Sequence, residues 1–322
     1  MYLVNEHLVV SVAGRASWRL ALLLFVLASC ADVTQPRSFP AGLIAYDELG
    51  GGTILIAGAD VTYVIDGSAR TATFSPVETD WDVNYLALSP DGTHILHRLF
   101  ELASLNGGAS TYTTVVVNVN GREARALRGG YIALPSWSID GNEVYYAIAR
   151  ATYRQSLVGD ELPQLVQSMP EGISCGAWTH GSPASVSAAG QILFECRGEA
   201  LYILTPPSSI QTVVEFEQPA SIAFAWAQWS PDGTRIAYAA RDRNDANPHI
   251  VVLDAASGAA LARMESAALD GSAFCWHRAG DRLLVIRTSA AGTTDLFAVP
   301  IAGGMPVRIA AGLAMGGISC SR

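Results

Sequence analysis

Lysine is missing from this 322-residue sequence: all 20 basic side chains are arginine. Its absence removes chemistry that needs an amine, including Schiff bases, Ser–Lys dyads and the P-loop grip on phosphate. Charge of any kind is scarce. Only 15% of residues are charged and 50% are apolar, the composition of a chain that buries a core and not of a disordered one. Acidic side chains outnumber basic ones 29 to 20, for a formal net charge of −9. A surface of that sign repels phosphates, so no nucleic-acid partner is expected. Long apolar runs are also lacking. Leu20 to Leu27 (LALLLFVL) covers less than half of the roughly 20 residues a membrane-spanning helix needs. Cysteine occurs five times.

Chemical motifs are equally thin. His94, His97, His180, His249 and His277 show no metal-ligand spacing, because residues three apart in a strand face opposite ways. Asp242, Asn244, Asp245 and Asn247 form an oxygen-rich loop, but the Gly and distal Glu of a calcium loop are missing. Gly172-Ile173-Ser174-Cys175-Gly176 matches the nucleophile-elbow pattern, yet Gly317-Ile318-Ser319-Cys320 repeats most of it. A repeat position explains it better than a strand-to-helix elbow does. No catalytic residue, cofactor or metal is therefore expected.

Arg15 and Arg19 precede the short apolar run, and a charged lead before a short greasy stretch reads as an export signal. Leu27-Ala28-Ser29-Cys30 resembles the bacterial lipobox, in which the cysteine becomes the lipidated first residue of the mature chain. The expected division is a signal peptide over 1–29, a lipidated Cys30 with a linker over 30–40, and one domain over 41–322. Buried acyl chains would tether the domain without a spanning helix. Ala31 after the cysteine leans toward the outer membrane, with the domain facing the periplasm or the exterior. A plain signal peptide cut near Ala28 is the alternative.

Self-similarity governs the domain. ALSPDGTHILH from Ala87, PSWSIDGNEVYYA from Pro135 and AQWSPDGTRIAYAA from Ala227 are the clearest copies. Weaker ones start at Ala45, Ser185 and Phe274. The turn glycines, Gly52, Gly92, Gly141, Gly190, Gly233 and Gly280, are 40, 49, 49, 43 and 47 residues apart. In each copy Pro presets φ, Asp bonds its own backbone and Gly takes positive φ, so two strands meet at a tight turn. A third apolar strand follows, such as His249 to Leu253, and then a more polar fourth, such as Pro306 to Ile309. Four short strands per 40–50 residues without a helical period make a propeller blade. The pattern predicts an all-β, six-bladed propeller of four-stranded antiparallel blades. Gly317 to Ser321 would be the clasp that pairs with the first blade. Seven blades are the alternative, because Leu43 to Asp47 also looks like an inner strand.

With its Ser-Pro-Asp-Gly signature at Ser89–Gly92 and Ser230–Gly233, the repeat resembles the TolB-like six-bladed propellers over residues 41–322. That resemblance implies protein–protein interaction. The extra N-terminal domain of such proteins, and the hydrolase domain of prolyl-oligopeptidase relatives, are not expected here.

Arginine recurs after the second strand of a blade: Arg98, Arg150, Arg197, Arg241 and Arg287. The loops there open on the rim opposite the Pro-Asp-Gly turns. Five guanidinium groups around one mouth would suit an anionic ligand or an acidic partner. Their mixed parity, and Glu101, Glu199 and Asp242 nearby, support structural pairing instead. Trp81 and Trp178 are expected on the same rim, where aromatics suit a protein contact. Trp137, Trp229 and Trp276 fall at the position that packs between blades. Cys175 and Cys196 lie in neighbouring strands of one blade and are placed for a disulfide outside the cytoplasm. Cys275 and Cys320 are expected as buried thiols.

The first reading is a non-enzymatic, monomeric scaffold in the cell envelope. It would be held to the membrane through lipid only and would bind a protein or peptide. The second is a lyase or hydrolase acting on a glycan or small ester in the central channel. A tight group of His180 or His277 with acids at the channel mouth would favour the second.

Overall fold

The Ser-x-Asp-Gly copies form the expected turns. In the computed structural model the Ser138 hydroxyl donates to Asp140 Oδ1 at 2.6 Å, and the Asn142 amide donates to the same oxygen. Ser230 and Asp232 repeat this at 2.6 Å. The serine also closes a two-bond clamp on the strand that follows: Ser138 N donates to Glu143 O, and Glu143 N donates to Ser138 Oγ, both at 2.9 Å. Gly92, Gly141, Gly190, Gly233 and Gly280 all sit at φ of +70° to +74°, the left-handed region that glycine enters without penalty. The Ser138 and Asn142 donors hold Asp140 below its ordinary pKa. At Asp232 burial pushes the other way, but bonds from Ser230 and Thr234 outweigh it. The recurrent aspartates are turn residues.

The described residues are 45–57, 62–75, 86–101, 111–120, 122, 125–127, 133–148, 151–159, 161–168, 185–196, 200–207, 209–215, 222–242, 249–265, 274–288, 294–313 and 317–322. Their strands make six four-stranded antiparallel sheets. The second blade holds β4 (Ala87–Leu88), β5 (His94–Glu101), β6 (Thr111–Asn118) and β7 (Arg125–Ala126). The third holds β8 (Ala133–Trp137), β9 (Glu143–Ile148), β10 (Ala151–Ser156) and β11 (Gln164–Ser168). The fourth holds β12 (Ser185–Val186), β13 (Ile192–Cys196), β14 (Ala200–Thr205) and β15 (Ser209–Glu215). The fifth holds β16 (Ile222–Trp229), β17 (Arg235–Asp242), β18 (His249–Asp254) and β19 (Ala260–Glu265). The sixth holds β20 (Phe274–Trp276), β21 (Arg282–Thr288), β22 (Thr294–Pro300) and β23 (Val307–Leu313).

The first blade draws on both ends of this array. β1 (Thr53–Ala57), β2 (Thr62–Asp66) and β3 (Thr71–Ser75) are joined by β24 (Gly317–Cys320), which pairs antiparallel with β1 from Ile54↔Cys320 to Ala57↔Gly317. The clasp expected from the sequence is therefore present, and the blade number is six. Tyr46–Leu49 is a short 3-10 helix and not a seventh inner strand, because β24 already occupies the inner edge of β1. The clasp reproduces the repeat's turn clamp across the chain. Ser321 N donates to Thr53 O, and Thr53 N donates to Ser321 Oγ, both at 2.8 Å.

Alternation along each strand supplies both faces of a blade. Ile236 and Tyr238 pack toward the fourth blade with Leu193, Leu201, Ile203 and Trp229. Ala237 and Ala239, one residue out of phase, pack toward the sixth with Phe274, Trp276, Leu283 and Val285. Similar clusters join the first blade to the second, the second to the third and the third to the fourth. Trp137, Trp229 and Trp276 lie in these seams, as their repeat position implies. The Trp137 indole N–H donates to Ala87 O at 2.9 Å, and that of Trp276 donates to Gln228 O at 3.2 Å. Each therefore ties one inner strand to the preceding one.

Candidate binding channel

The inner strands β4, β8, β12, β16, β20 and β24 all contribute to the wall of one cavity of about 120 Å³ on the propeller axis. The wall is more apolar than polar, with Leu88, Trp137, Trp229, Phe274 and Trp276 among its members. Its polar members are few: Ser136, Ser185, Gln228, Ser319 and Arg322. One polar member stands apart from the rest.

It is Arg322. It directly follows the clasp serine, so it occupies the place that Pro90, Ile139 and Pro231 hold in other turns. Its backbone N–H donates to Pro90 O at 3.0 Å. Its side chain then crosses the axis to the opposite blade, where Nη1 donates to Val186 O at 2.9 Å and Nη2 donates to Ser185 Oγ at 3.3 Å. The residue keeps intermediate exposure. Even so, protein surrounds its head closely enough that burial pushes the guanidinium pKa down to about 10, still charged at neutral pH. No motif marks Arg322 in the sequence. The available signal was its position next to a clasp strand, since whatever follows an inner strand must lie near the axis.

Three of the five rim arginines fall among the described residues. Arg98, Arg241 and Arg287 lie inside β5, β17 and β21, opposite Thr114, Phe224 and Asp295, and not in loops beyond them. These strands run seven or eight residues, long enough to absorb the arginine into the ladder. The Arg287 guanidinium lies 5.2 Å from the centroid of the Phe297 ring, a cation–π contact on the blade face. Arg150, Arg197, Trp81, Trp178, Cys30 and Cys175 lie outside the described residues. Cys196 ends β13, opposite Ala200. Cys275 and Cys320, expected as thiols, instead form a disulfide with Cα atoms 5.8 Å apart. The closing strand β24 is brought against β20 by ring closure, so two cysteines 45 residues apart in sequence meet at the seam.

His180 also lies outside the described residues. His277 occupies the serine position of the sixth turn: its N–H donates to Arg282 O at 3.1 Å, and its Nδ1 accepts from Ala279 N at 3.2 Å. It is buried at 6% exposure, 3.4 Å from Asp281 and packed against Gly50, and it is not part of the channel wall. Among the described residues no group of three or more His, Cys, Asp or Glu comes together. Burial holds the His277 imidazole below its ordinary 6.5; Asp281 opposes the shift and Arg282 reinforces it. The unfolded chain therefore takes up a proton here at a higher pH than the folded one does. Stability should fall as pH drops from about 6.5 through the folded pKa, and stay unaffected above that range. Turn aspartates with lowered pKa values, such as Asp140, add their loss only near and below 3.8. Urea unfolding between pH 7.5 and 5 should show the upper step, and His277→Asn should flatten it. A step that survives this substitution assigns the titration elsewhere.

The fold and the channel define a six-bladed propeller with an arginine across its axis. Neither a protein-family profile nor any curated protein sequence matches the chain. Solved structures similar to it include TolB from Acinetobacter baumannii, at 14% identity over 85% of this chain and 74% of that one, with a TM-score of 0.48. A provisionally assigned TolB of Agrobacterium tumefaciens aligns at 14% identity over 83% of this chain and 92% of that one, with a TM-score of 0.48. A provisionally assigned 6-phosphogluconolactonase of Bacteroides fragilis NCTC 9343 reaches a TM-score of 0.50 at 11% identity, covering 84% of this chain and 98% of that one. At such identities the likeness concerns the fold alone.

Proposed function

We propose that this chain is a non-enzymatic propeller scaffold of the bacterial cell envelope, tethered by lipid on Cys30 and binding a protein or peptide partner. The observation that carries the proposal is a run of exposed apolar side chains on one hairpin of the third blade. Val158, Leu162 and Leu165 are 68%, 67% and 57% exposed, while Val166 beside them packs inward on the seam. Apolar groups concentrated on one projecting hairpin mark a contact surface more readily than scattered ones do. The Cys275–Cys320 bond fits an oxidising compartment, in keeping with the leader and the lipobox-like Cys30. Among the described residues no helix is long and apolar enough to cross a membrane, and a lipid anchor needs none.

Two substitutions test the two halves of this reading. Cys30→Ser in the full-length precursor should move the protein from the membrane fraction to the soluble one; persistence in the membrane rejects the anchor. Leu162→Asp with Leu165→Asp should leave the melting temperature nearly unchanged, because both side chains already face water. The same pair should erase crosslinks formed in intact cells from a photoreactive residue placed at position 161. An unaltered crosslinking pattern removes this hairpin as the docking surface.

A further inference from the structure

The channel wall holds one guanidinium and no acidic side chain. Among the described residues no Asp or Glu side chain pairs with Arg322; its guanidinium donates to the Val186 carbonyl and the Ser185 hydroxyl. A guanidinium carries five N–H donors, and these two bonds use only two of them. A guanidinium partly withdrawn from water with donors to spare gains when an anion arrives.

The surroundings specify what kind of anion. Ser185 Oγ accepts from both Trp229 N and Arg322, which leaves its own proton free to donate. Ser319 Oγ accepts from Leu88 N at 2.9 Å and is in the same position. The Ser136 hydroxyl makes only a 3.5 Å contact with a backbone carbonyl. One cation with Ser185 beside it, and the Ser136 and Ser319 hydroxyls on the same channel wall, suits a single negative charge; a phosphate dianion would need a second cation. Beside them stand the indoles of Trp137 and Trp276 and the aliphatic Leu88, which suit an apolar body and not a second polar group. A cavity of about 120 Å³ has room for a short organic molecule in place of several waters.

We propose that the channel binds a small organic monocarboxylate, its carboxylate on the Arg322 guanidinium and its apolar tail against the channel tryptophans. The site is distinct from the third-blade hairpin, so either proposal can fail without the other.

The channel tryptophans provide the readout. Butyrate titrated at constant ionic strength should give a saturable change in tryptophan emission in the millimolar range. Butyramide, matched in shape but uncharged, should bind at least about tenfold more weakly, because the charge-assisted bonds are lost. Inorganic phosphate should also bind more weakly than butyrate. Arg322→Gln, checked for an unchanged far-ultraviolet spectrum, should lose butyrate binding by a similar factor. Should that variant fail to fold, Ser185→Ala and the butyrate–butyramide comparison on the unmodified protein still decide. No saturable response to butyrate, equal binding of butyramide, or tighter binding of phosphate would each overturn the proposal.

Discussion

Trp229→Ala is expected to lower the unfolding free energy by about 3–5 kcal/mol, the range for deleting a fully buried aromatic side chain. Trp229 is 2% exposed and sits in the seam between the fourth and fifth blades, against Leu193, Leu201 and Ile203 on one side and Ile236 and Tyr238 on the other. Its indole nitrogen is buried without a partner among the described residues. Truncation therefore removes packing and does not break a hydrogen bond. That makes it a cleaner probe than Trp137 or Trp276, whose indoles donate to the neighbouring inner strand. Trp229→Phe should recover much of the loss, since most of the apolar volume returns. Urea denaturation followed by circular dichroism measures both. A loss under about 1 kcal/mol for the alanine variant, the usual scale of a surface change, would mean that the seam is not packed as described.

Local chemistry made most of this fold readable. The alternation of Ile236 and Tyr238 with Ala237 and Ala239 states that the strand is covered on both faces, and the structure divides those residues between two seams. The Pro-Asp-Gly turns were legible for the same reason: donors, acceptors and glycine lie within five residues of one another. What escaped the sequence depends on distance in the chain. Cys275 and Cys320 become neighbours only when β24 closes the ring. The direction of the Arg322 side chain is fixed by the channel width and by Ser185 and Val186, 137 and 136 residues away. For the arginines, strand length was the illegible part: β5, β17 and β21 run on to include Arg98, Arg241 and Arg287. Arg287 then found Phe297 on its own blade.

Breaking the Cys275–Cys320 bond is expected to cost roughly 4 kcal/mol, the chain-entropy value for a loop of this size, with 45 residues between the two cysteines. The position of the bond makes the loss local before it is global. β24 is held to β1 by a four-residue register and by the Ser321–Thr53 clamp, and the disulfide is the covalent tie from that strand to the sixth blade. Without it, opening β24 exposes the inner edge of β1, and a propeller whose ring is broken regains the sheet edges that closure removes. Dithiothreitol should therefore lower the urea midpoint of the native protein. Cys275→Ala with Cys320→Ala should start at that lower midpoint and ignore the reductant. Amide exchange should accelerate first in Gly317–Cys320 and in Thr53–Ala57, and later in strands such as β13 and β14 on the opposite side. Uniform acceleration across all six blades would mean that the clasp is not where the ring opens. A midpoint insensitive to dithiothreitol, together with two titratable thiols, would return these cysteines to the buried-thiol state that the sequence alone suggested.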